Sequence, residues 1–326
     1  MKMTRRGFLN ISTAAAVVCA ATLLPVEKAA AAQQTMAAQE LLEQAYLYAF
    51  PLVLMDATRK VSTNTETPND TRAPINQFIH AKKLADAASR AVVTPNVDTI
   101  YTQAFLDVSA EPMLYGVPQT DRFFNVQVLD AWTNTVAVLE APGLYAITRS
   151  DWQGKLPEGV QRINVPTNMV WTIARIVLSG QEDLPNVRAI QDRMQLMPLS
   201  AYQMDSWTAP AGKYDPAYNF VPVQHVLAMC AEDFFTTANH LMEANPPSEA
   251  DAPMLQKLAA LHVGPNETFS AAAALACGAS LTAHAAGSTD ENSLNFITDI
   301  FKDSTQPGEI EEATAITAEK NAEWYE

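Results

Sequence analysis

The residues best suited to chemistry in this chain are acidic and lie at the ends of predicted strands. Asp130 continues a period-two apolar pattern, so its carboxylate shares a strand face with apolar neighbours. The pattern consists of Phe124, Val126 and Val128. A carboxylate on such a face must be hydrogen-bonded, paired with a cation or protonated. Asp130 is therefore either a catalytic acid or base, or the residue that ends the strand and caps the following turn.

Asp98 is the second acid of this group. Together with Asp130 it would give paired carboxylates, in which one acts as a base while the other stays protonated or holds a cation. Asp98 and Asn96 lie in a polar segment just before a strand that begins near Tyr101, and such segments commonly form turns bonded to their own backbone. The sequence leaves both the functional and the turn interpretation open.

One cation and one histidine complete the predicted polar cluster. Arg175 alternates with Trp171 and Ile173, so its guanidinium faces one of the acids, either as a structural ion pair or as a fork for a substrate carboxylate. His80 is the only histidine near this group in sequence, and it is either a proton carrier or an ordinary hydrogen-bonded helix residue.

Aromatic residues provide a candidate pocket wall beside these polar groups. Tyr101 and Trp132 either line an aromatic pocket or pack in the core, and Thr133 follows Trp132 directly. The predicted catalytic residues are Asp98, Asp130 and His80. The predicted ligand-binding residues are Asn96, Tyr101, Trp132, Thr133 and Arg175.

Metal and cofactor chemistry has little support in the sequence. His240 and Glu243 are three residues apart, but one such pair is ordinary on a helix surface. The chain has no zinc-protease, nucleophile-elbow, P-loop or dinucleotide-binding motif. We therefore assign no metal ligands and leave the cofactor open.

The elements that must position these residues are strands bracketed by helices. Period-two runs between Pro95 and Leu178, separated by turn signals, predict about seven short strands in an antiparallel sheet or sandwich. Helical spacing predicts a helix over 39–50 that Pro51 ends, and a short helix over 77–88. Four further helices are predicted over 184–197, 223–242, 252–261 and 268–284. The predicted fold class is α+β, with a central antiparallel sheet or sandwich, an N-terminal helix and a helical C-terminal half.

The first 32 residues have the pattern of an export signal. Arg5 and Arg6 precede Gly-Phe-Leu and an uncharged apolar run too short to span a membrane, and small residues lead to Ala32. This predicts a twin-arginine signal cleaved near Ala32, with an uncleaved anchor as the alternative. The predicted location is periplasmic or extracellular, with membrane contact only through the signal.

Charge and cysteine content limit the partners. Removing residues 1–32 leaves 17 basic and 35 acidic residues, a formal charge of −18. Such a chain is repelled by phosphate backbones and anionic lipid, which argues against nucleic-acid binding. Cys230 and Cys277 remain after cleavage, and they either pair in an oxidising compartment or leave Cys230 as core packing on a helix.

The organisation predicted along the chain has five parts. They are a signal (1–32), a helix and loop segment (33–95), a β-rich core (96–180), a helical region packing on that core (181–288) and an acidic C-terminal segment (289–326). The last of these holds ten acidic residues against two lysines.

Several ordered segments resemble an uncharacterised bacterial family, domain of unknown function 1254 (DUF1254). They are Ala45 to Asp56, Asn76-Gln77-Phe78, Thr94 to Tyr101, Leu129 to Asn134, Pro166 to Trp171, Leu196 to Ser200 and Asn245-Pro246-Pro247. The similarity covers most of residues 40–265. It implies an exported or envelope protein with a β-rich body and flanking helices.

The resemblance also bears on whether a second domain or a second copy of the chain completes the site. Many family members continue into a second β-rich domain, DUF1214, whereas this sequence stops at Glu326. If that domain completes a site, this chain has either lost the activity or supplies the missing wall by forming a homo-oligomer.

Three classes of function follow from these patterns. The first is an enzyme that performs acid–base or hydrolytic chemistry on a small, partly apolar molecule in a pocket on the β body. The second is a periplasmic binding protein that uses the same pocket without turnover. The third is a structural or assembly component.

Overall fold

The computed structural model describes residues 40–84 and 98–270. The predicted N-terminal signal, Asn96, Cys277 and the acidic C-terminal segment lie outside these ranges. The helices are α1 (40–62), α2 (Leu184–Gln191), α3 (Pro222–Leu227), α4 (Ala231–Ala244) and α5 (Ala252–Leu258). The strands are β1 (Ile79–His80), β2 (Thr99–Asp107), β3 (Met113–Val117), β4 (Phe124–Asp130), β5 (Thr135–Leu139), β6 (Gly143–Arg149), β7 (Gln161–Val165), β8 (Met169–Val177) and β9 (Gln195–Pro198).

The strands form two sheets. Sheet A has the order β1-β2-β8-β4-β5 and is antiparallel throughout, with β8 bonded to β2 on one side and β4 on the other. Sheet B has the order β7-β6-β3-β9, and its β6–β7 pair is parallel. The predicted α+β class with a mostly antiparallel β body is confirmed.

The period-two pattern places one face of sheet A against sheet B. Alternate residues of β2, β4 and β8 are buried there with side chains from sheet B and α2. They include Ala104, Val126, Ala174, Tyr115 and Val187. This apolar layer joins the two sheets, as in a sandwich.

The other face of sheet A is covered by helices. Phe105 and Trp171 stack with ring centroids 5.5 Å apart and pack against a cluster formed by α1, α4 and α5. Phe234 and Phe235 of α4 are buried in that cluster. The molecule therefore has three layers: sheet B, sheet A and a helical layer.

The prediction that α1 ends at Pro51 is wrong. Proline in a helix interior costs about 3 kcal/mol because it removes one hydrogen bond and crowds the preceding turn. Leu52, Val53 and Met55 are buried just beyond it, and each such side chain contributes roughly 1.5–3 kcal/mol on burial. Tertiary packing therefore outweighs the local penalty, and the helix continues to residue 62.

Other predicted helices are also corrected. The described part of 77–88 contains strand β1 instead, and the end of 184–197 is strand β9, which pairs with β3. The predicted 223–242 helix divides into α3 and α4 around Cys230, whose Sγ accepts a hydrogen bond from the Asp233 N–H at 3.4 Å. Cys230 is thus a half-buried helix cap, while the predicted helix over 268–284 lies mostly outside the described residues.

In residues 40–84 and 98–270, no helix combines the length and the apolar composition that crossing a bilayer requires.

Candidate functional site

The structure separates the two acids of the predicted cluster. The Asp98 carbonyl accepts a hydrogen bond from the Leu178 N–H, whereas Asp130 pairs with Val170. These positions lie eight residues apart along β8, roughly 26 Å at the rise of an extended strand. The expectation of paired carboxylates is therefore wrong.

Asp130 caps the turn between β4 and β5. Its side chain is buried, and Oδ1 accepts hydrogen bonds from the N–H groups of Trp132 and Asn134 at 2.8 and 2.9 Å. Oδ2 accepts a third from Asn134 Nδ2 at 3.1 Å. Thr133 is exposed with a left-handed φ of 66°, as the tight turn requires. The carboxylate is satisfied by its own turn, as the structural alternative predicts.

Trp132 and His80 also have structural partners. The Trp132 indole N–H donates to the Asn245 carbonyl at 3.1 Å, and the ring packs on Tyr48. His80 Nδ1 lies 2.9 Å from Thr102 Oγ1, on the face of sheet A that meets sheet B. Burial lowers the pKa of His80, and the nearby Asp192 carboxylate opposes that shift.

Tyr101 and Arg175 are the predicted residues that the structure brings together. They are directly paired on β2 and β8, and the Arg175 guanidinium lies 5.8 Å from the Tyr101 ring centre. Asp130 is five residues of β8 away from this pair. The roles proposed for these residues from sequence stay predictions.

A different site lies at the C-terminal half of α1. Two adjoining cavities there form what we call the α1 cleft. The outer chamber, of about 650 Å³, is lined by Arg59, Lys60, Asp107, Lys213, Tyr214 and Tyr218. The inner chamber, of about 300 Å³, is lined by Asp56, Arg59, Asp107, Asn168, Leu241 and Asn245. Arg59, Ile75 and Asp107 line both, so the chambers meet at these three residues.

A buried carboxylate anchors the cations of the α1 cleft. Asp56 is 3% exposed, and its two oxygens accept from Arg59 Nη2 at 2.6 Å and Lys60 Nζ at 2.8 Å. The spacings of three and four residues put both cations above Asp56 on one face of α1. Their side chains remain 30% and 35% exposed, so each keeps N–H donors for another partner.

The outer wall of the α1 cleft is the segment 210–218, which is tied back to α1 and the loop that follows it. Asn64 is buried and exchanges two hydrogen bonds with the Asp215 backbone, at 2.8 and 2.7 Å. Gln77 Nε2 donates to the Pro210 carbonyl at 2.7 Å. Gly212 passes so close to the chain that an added Cβ would lie 2.3 Å from the Thr65 carbonyl oxygen. This position therefore requires glycine.

Two other acids that line the outer chamber serve local turns. Asp107 Oδ1 accepts from the Ser109 N–H and Asp215 Oδ1 accepts from the Ala217 N–H, both at 2.9 Å. Lys60 lies 5.8 Å from the Tyr218 ring centre, so an aromatic wall adjoins the cationic group. The described residues contain no cluster of three histidine, cysteine or acidic side chains arranged to hold a metal ion.

Sequence reasoning missed the α1 cleft, although a signal for it exists. Asp56 falls on the buried stripe of α1, where Leu52 and Val53 precede it by four and three residues. A charged residue on an apolar stripe, followed by cations at i+3 and i+4, indicates a buried ion-pair cluster. Asp56 and Asn168 also belong to segments that carry the family resemblance.

Comparisons with known proteins support the family and the fold. Residues 75–198 match the model of the family described as "Protein of unknown function (DUF1254)", which confirms the resemblance over the β body. A crystal structure of the VPA0106 protein from Vibrio parahaemolyticus is similar at a TM-score of 0.52 and 22% identity, which shows a shared fold. The similarity covers 74% of this chain and 56% of the Vibrio chain. No curated protein sequence matches.

Proposed function

We propose that this DUF1254-like chain binds a small organic anion, of the aromatic carboxylate class, in the outer chamber of the α1 cleft. The observation that carries the proposal is the grouping of Arg59, Lys60 and Lys213 around one open cavity. The whole chain has a formal charge of −15, so three cations at one cavity stand out against an acidic background. A chamber of this size lies within the usual range for small-molecule sites.

Three cations line the outer chamber together with the carboxylates of Asp107 and Asp215, each of which has one oxygen bound in a local turn. Asp56 holds Arg59 and Lys60 in place and neutralises one of their two charges. The remaining charge faces the cavity, where a carboxylate can accept charge-assisted hydrogen bonds from both side chains. Lys213 is exposed on the opposite wall and contributes a further cation. Burial of Asp56 thus fixes the position of a positive group without cancelling it.

The walls favour an aromatic body next to that carboxylate. Tyr214 and Tyr218 line the chamber with prolines 74, 210 and 216, and these flat apolar surfaces suit a ring. Tyr214 and Tyr218 are 54% and 37% exposed, so much of their ring surface is available to a ligand. An aromatic carboxylate would bury this surface and neutralise the cations together.

Binding titrations with simple probes test the proposal. The full chain should bind benzoate and should bind the uncharged analogue benzyl alcohol far more weakly, measured by isothermal titration calorimetry. Lys60→Gln and Lys213→Gln should each weaken benzoate binding by about tenfold, the effect of losing one charged hydrogen bond. Lys155→Gln is the matched control, since Lys155 is exposed in the β6–β7 connection and lines neither chamber.

Two results would contradict the proposal. The first is equal affinity for benzoate and benzyl alcohol, which would show that the cations take no part. The second is an equal loss of affinity in Lys60→Gln and Lys155→Gln, which would indicate a general charge effect.

We also propose that the protein acts after export through the twin-arginine pathway. Support comes from the adjacent Arg5 and Arg6, the uncharged apolar run and the small residues before Gln33. Replacing both arginines by lysine should retain the protein in the cytoplasm, as measured by cell fractionation. Unchanged periplasmic recovery of that variant would contradict this route.

A further inference from the structure

The inner chamber of the α1 cleft is lined by the amide side chain of Asn168, whose N–H donors form no hydrogen bond within residues 40–84 and 98–270. Asn168 connects β7 and β8 and is half-buried at the chamber wall. Its backbone N–H donates to the Ala244 carbonyl at 3.4 Å, and its carbonyl accepts from the Val108 N–H at 2.9 Å. These bonds fix the residue between the end of α4 and the end of β2.

Arg149 fixes the orientation of the Asn168 amide. Arg149 Nη1 donates to Asn168 Oδ1 at 2.5 Å, while Nε and Nη2 form a fork to Asp151 at 2.8 and 2.7 Å. The Asp151 carboxylate raises the pKa of Arg149, so the guanidinium stays charged and donates only. Because the guanidinium can only donate, the Asn168 amide turns its oxygen toward Arg149, and Nδ2 lies on the opposite side of the amide group.

The neighbouring asparagine shows the contrast. Asn245 also lines the inner chamber, but its Oδ1 accepts from the Met169 N–H and its Nδ2 donates to the Leu241 carbonyl. Asn168 Nδ2 makes no hydrogen bond to any residue in 40–84 or 98–270. Of these two amides, Asn168 has both N–H donors unused, whereas Asn245 has already committed one of its two to the fold.

We infer that Asn168 is a specificity-determining residue, which donates a hydrogen bond to a carbonyl oxygen at the far end of the bound aromatic carboxylate. Arg59 lines both chambers, so a ligand whose carboxylate lies at Arg59 and Lys60 in the outer chamber extends past Arg59 into the inner one. The preferred ligand class is then an acyl-substituted aromatic carboxylate. This inference rests on the proposed function.

The test compares two probes that differ only at the carbonyl. 4-Acetylbenzoate carries a ketone oxygen where 4-isopropenylbenzoate carries a CH2 group of nearly the same shape, and the 3-substituted pair covers a second separation. The wild-type chain should prefer the acetyl member of at least one pair by about three- to tenfold, the range for one neutral hydrogen bond. The measured quantity is the ratio of the two dissociation constants.

Asn168→Asp removes the donor and keeps the oxygen that Arg149 needs, so the fold is preserved. The preference for the acetyl probe should disappear in this variant. Asn164→Asp is the matched control. Asn164 is exposed on β7, and its Oδ1 accepts a hydrogen bond from Arg162, as that of Asn168 does from Arg149. The substitution adds the same negative charge. The control should retain the wild-type ratio.

The outcomes separate this inference from the proposed function. If the wild-type chain binds no probe, both are wrong. If it binds all probes without preferring the acetyl members, the outer chamber works as proposed and the role of Asn168 is wrong. If the preference survives in Asn168→Asp, the carbonyl is recognised elsewhere and the inference is overturned.

Discussion

Asp56 and Asp130 are carboxylates buried to the same degree, but the donors that bind them differ in charge. Asp56 is 3% exposed and Asp130 is 4% exposed. Asp130 accepts from uncharged donors within four residues of itself, whereas Asp56 accepts from two cations that line a cavity. The first arrangement closes a turn, and the second holds charge at a surface that a ligand can reach.

Burial of an acid therefore does not by itself identify a functional site. A buried carboxylate must be satisfied in either case. The informative feature is whether its partners have unused donors facing open space. Arg59 and Lys60 do, because each is about one-third exposed, while the donors around Asp130 belong to the turn itself.

Removing Asp56 should have the largest effect. Asp56→Ala leaves Arg59 and Lys60 adjacent without a counter-charge. We expect a loss of about 3 kcal/mol in the free energy of unfolding, the lower end of the usual range for breaking a buried pair. The lower end applies because both cations can turn toward water. Urea unfolding measures this loss. The double variant Asp56→Ala/Lys60→Gln should recover part of it by removing repulsion. A loss within the range of ordinary surface substitutions would contradict the anchoring role.

Removing Asp130 should have a smaller effect that is confined to stability. Asp130→Ala loses three hydrogen bonds in the β4–β5 turn, which should cost roughly 1–2 kcal/mol. Asp130→Asn retains Oδ1 as an acceptor and should cost less. Benzoate affinity should be unchanged in both folded variants. A fall in affinity in Asp130→Asn would instead place this carboxylate at a ligand site.

The smallest effect concerns His80. Burial lowers its pKa in the fold below the ordinary value of 6.5, so the unfolded chain binds the proton more readily. The stability that depends on neutral His80 is complete above pH 6.5 and is lost as the pH falls below it. His80→Gln should therefore flatten the decline in urea midpoint between about pH 7.5 and about pH 5.5. An identical decline in the variant would show that other groups cause it.

The strands of the β body are predicted well because the signal for them lies in residues that are close together in the sequence. Alternation along β2, β4 and β8 reports directly which side chains face sheet B, and that face is buried as expected. Strand β9 escapes this reasoning because Gln195–Pro198 is too short to show a pattern and forms by pairing with β3. Continuation of α1 beyond Pro51 likewise depends on distant packing.

The candidate site was less predictable for a related reason. Arg59 and Lys60 look like solvated helix residues in sequence, and Lys213 lies about 150 positions away in a segment without periodicity. Only the folded chain brings them to one cavity. The Asp130 and Asp98 pairing failed because strand periodicity gives the face of a residue and not its height along the neighbouring strand.

The position of β8 in sheet A determines the order in which the strands of the sheet can pair. β2 and β4 are not hydrogen-bonded to each other and are joined in the sheet through β8, which follows them by at least 39 residues in the sequence. During synthesis, the centre of the sheet therefore stays open until the chain has passed Val177. Such non-local pairing slows folding. The amide hydrogens of β8, bonded on both sides, should then exchange with solvent only when the whole molecule opens.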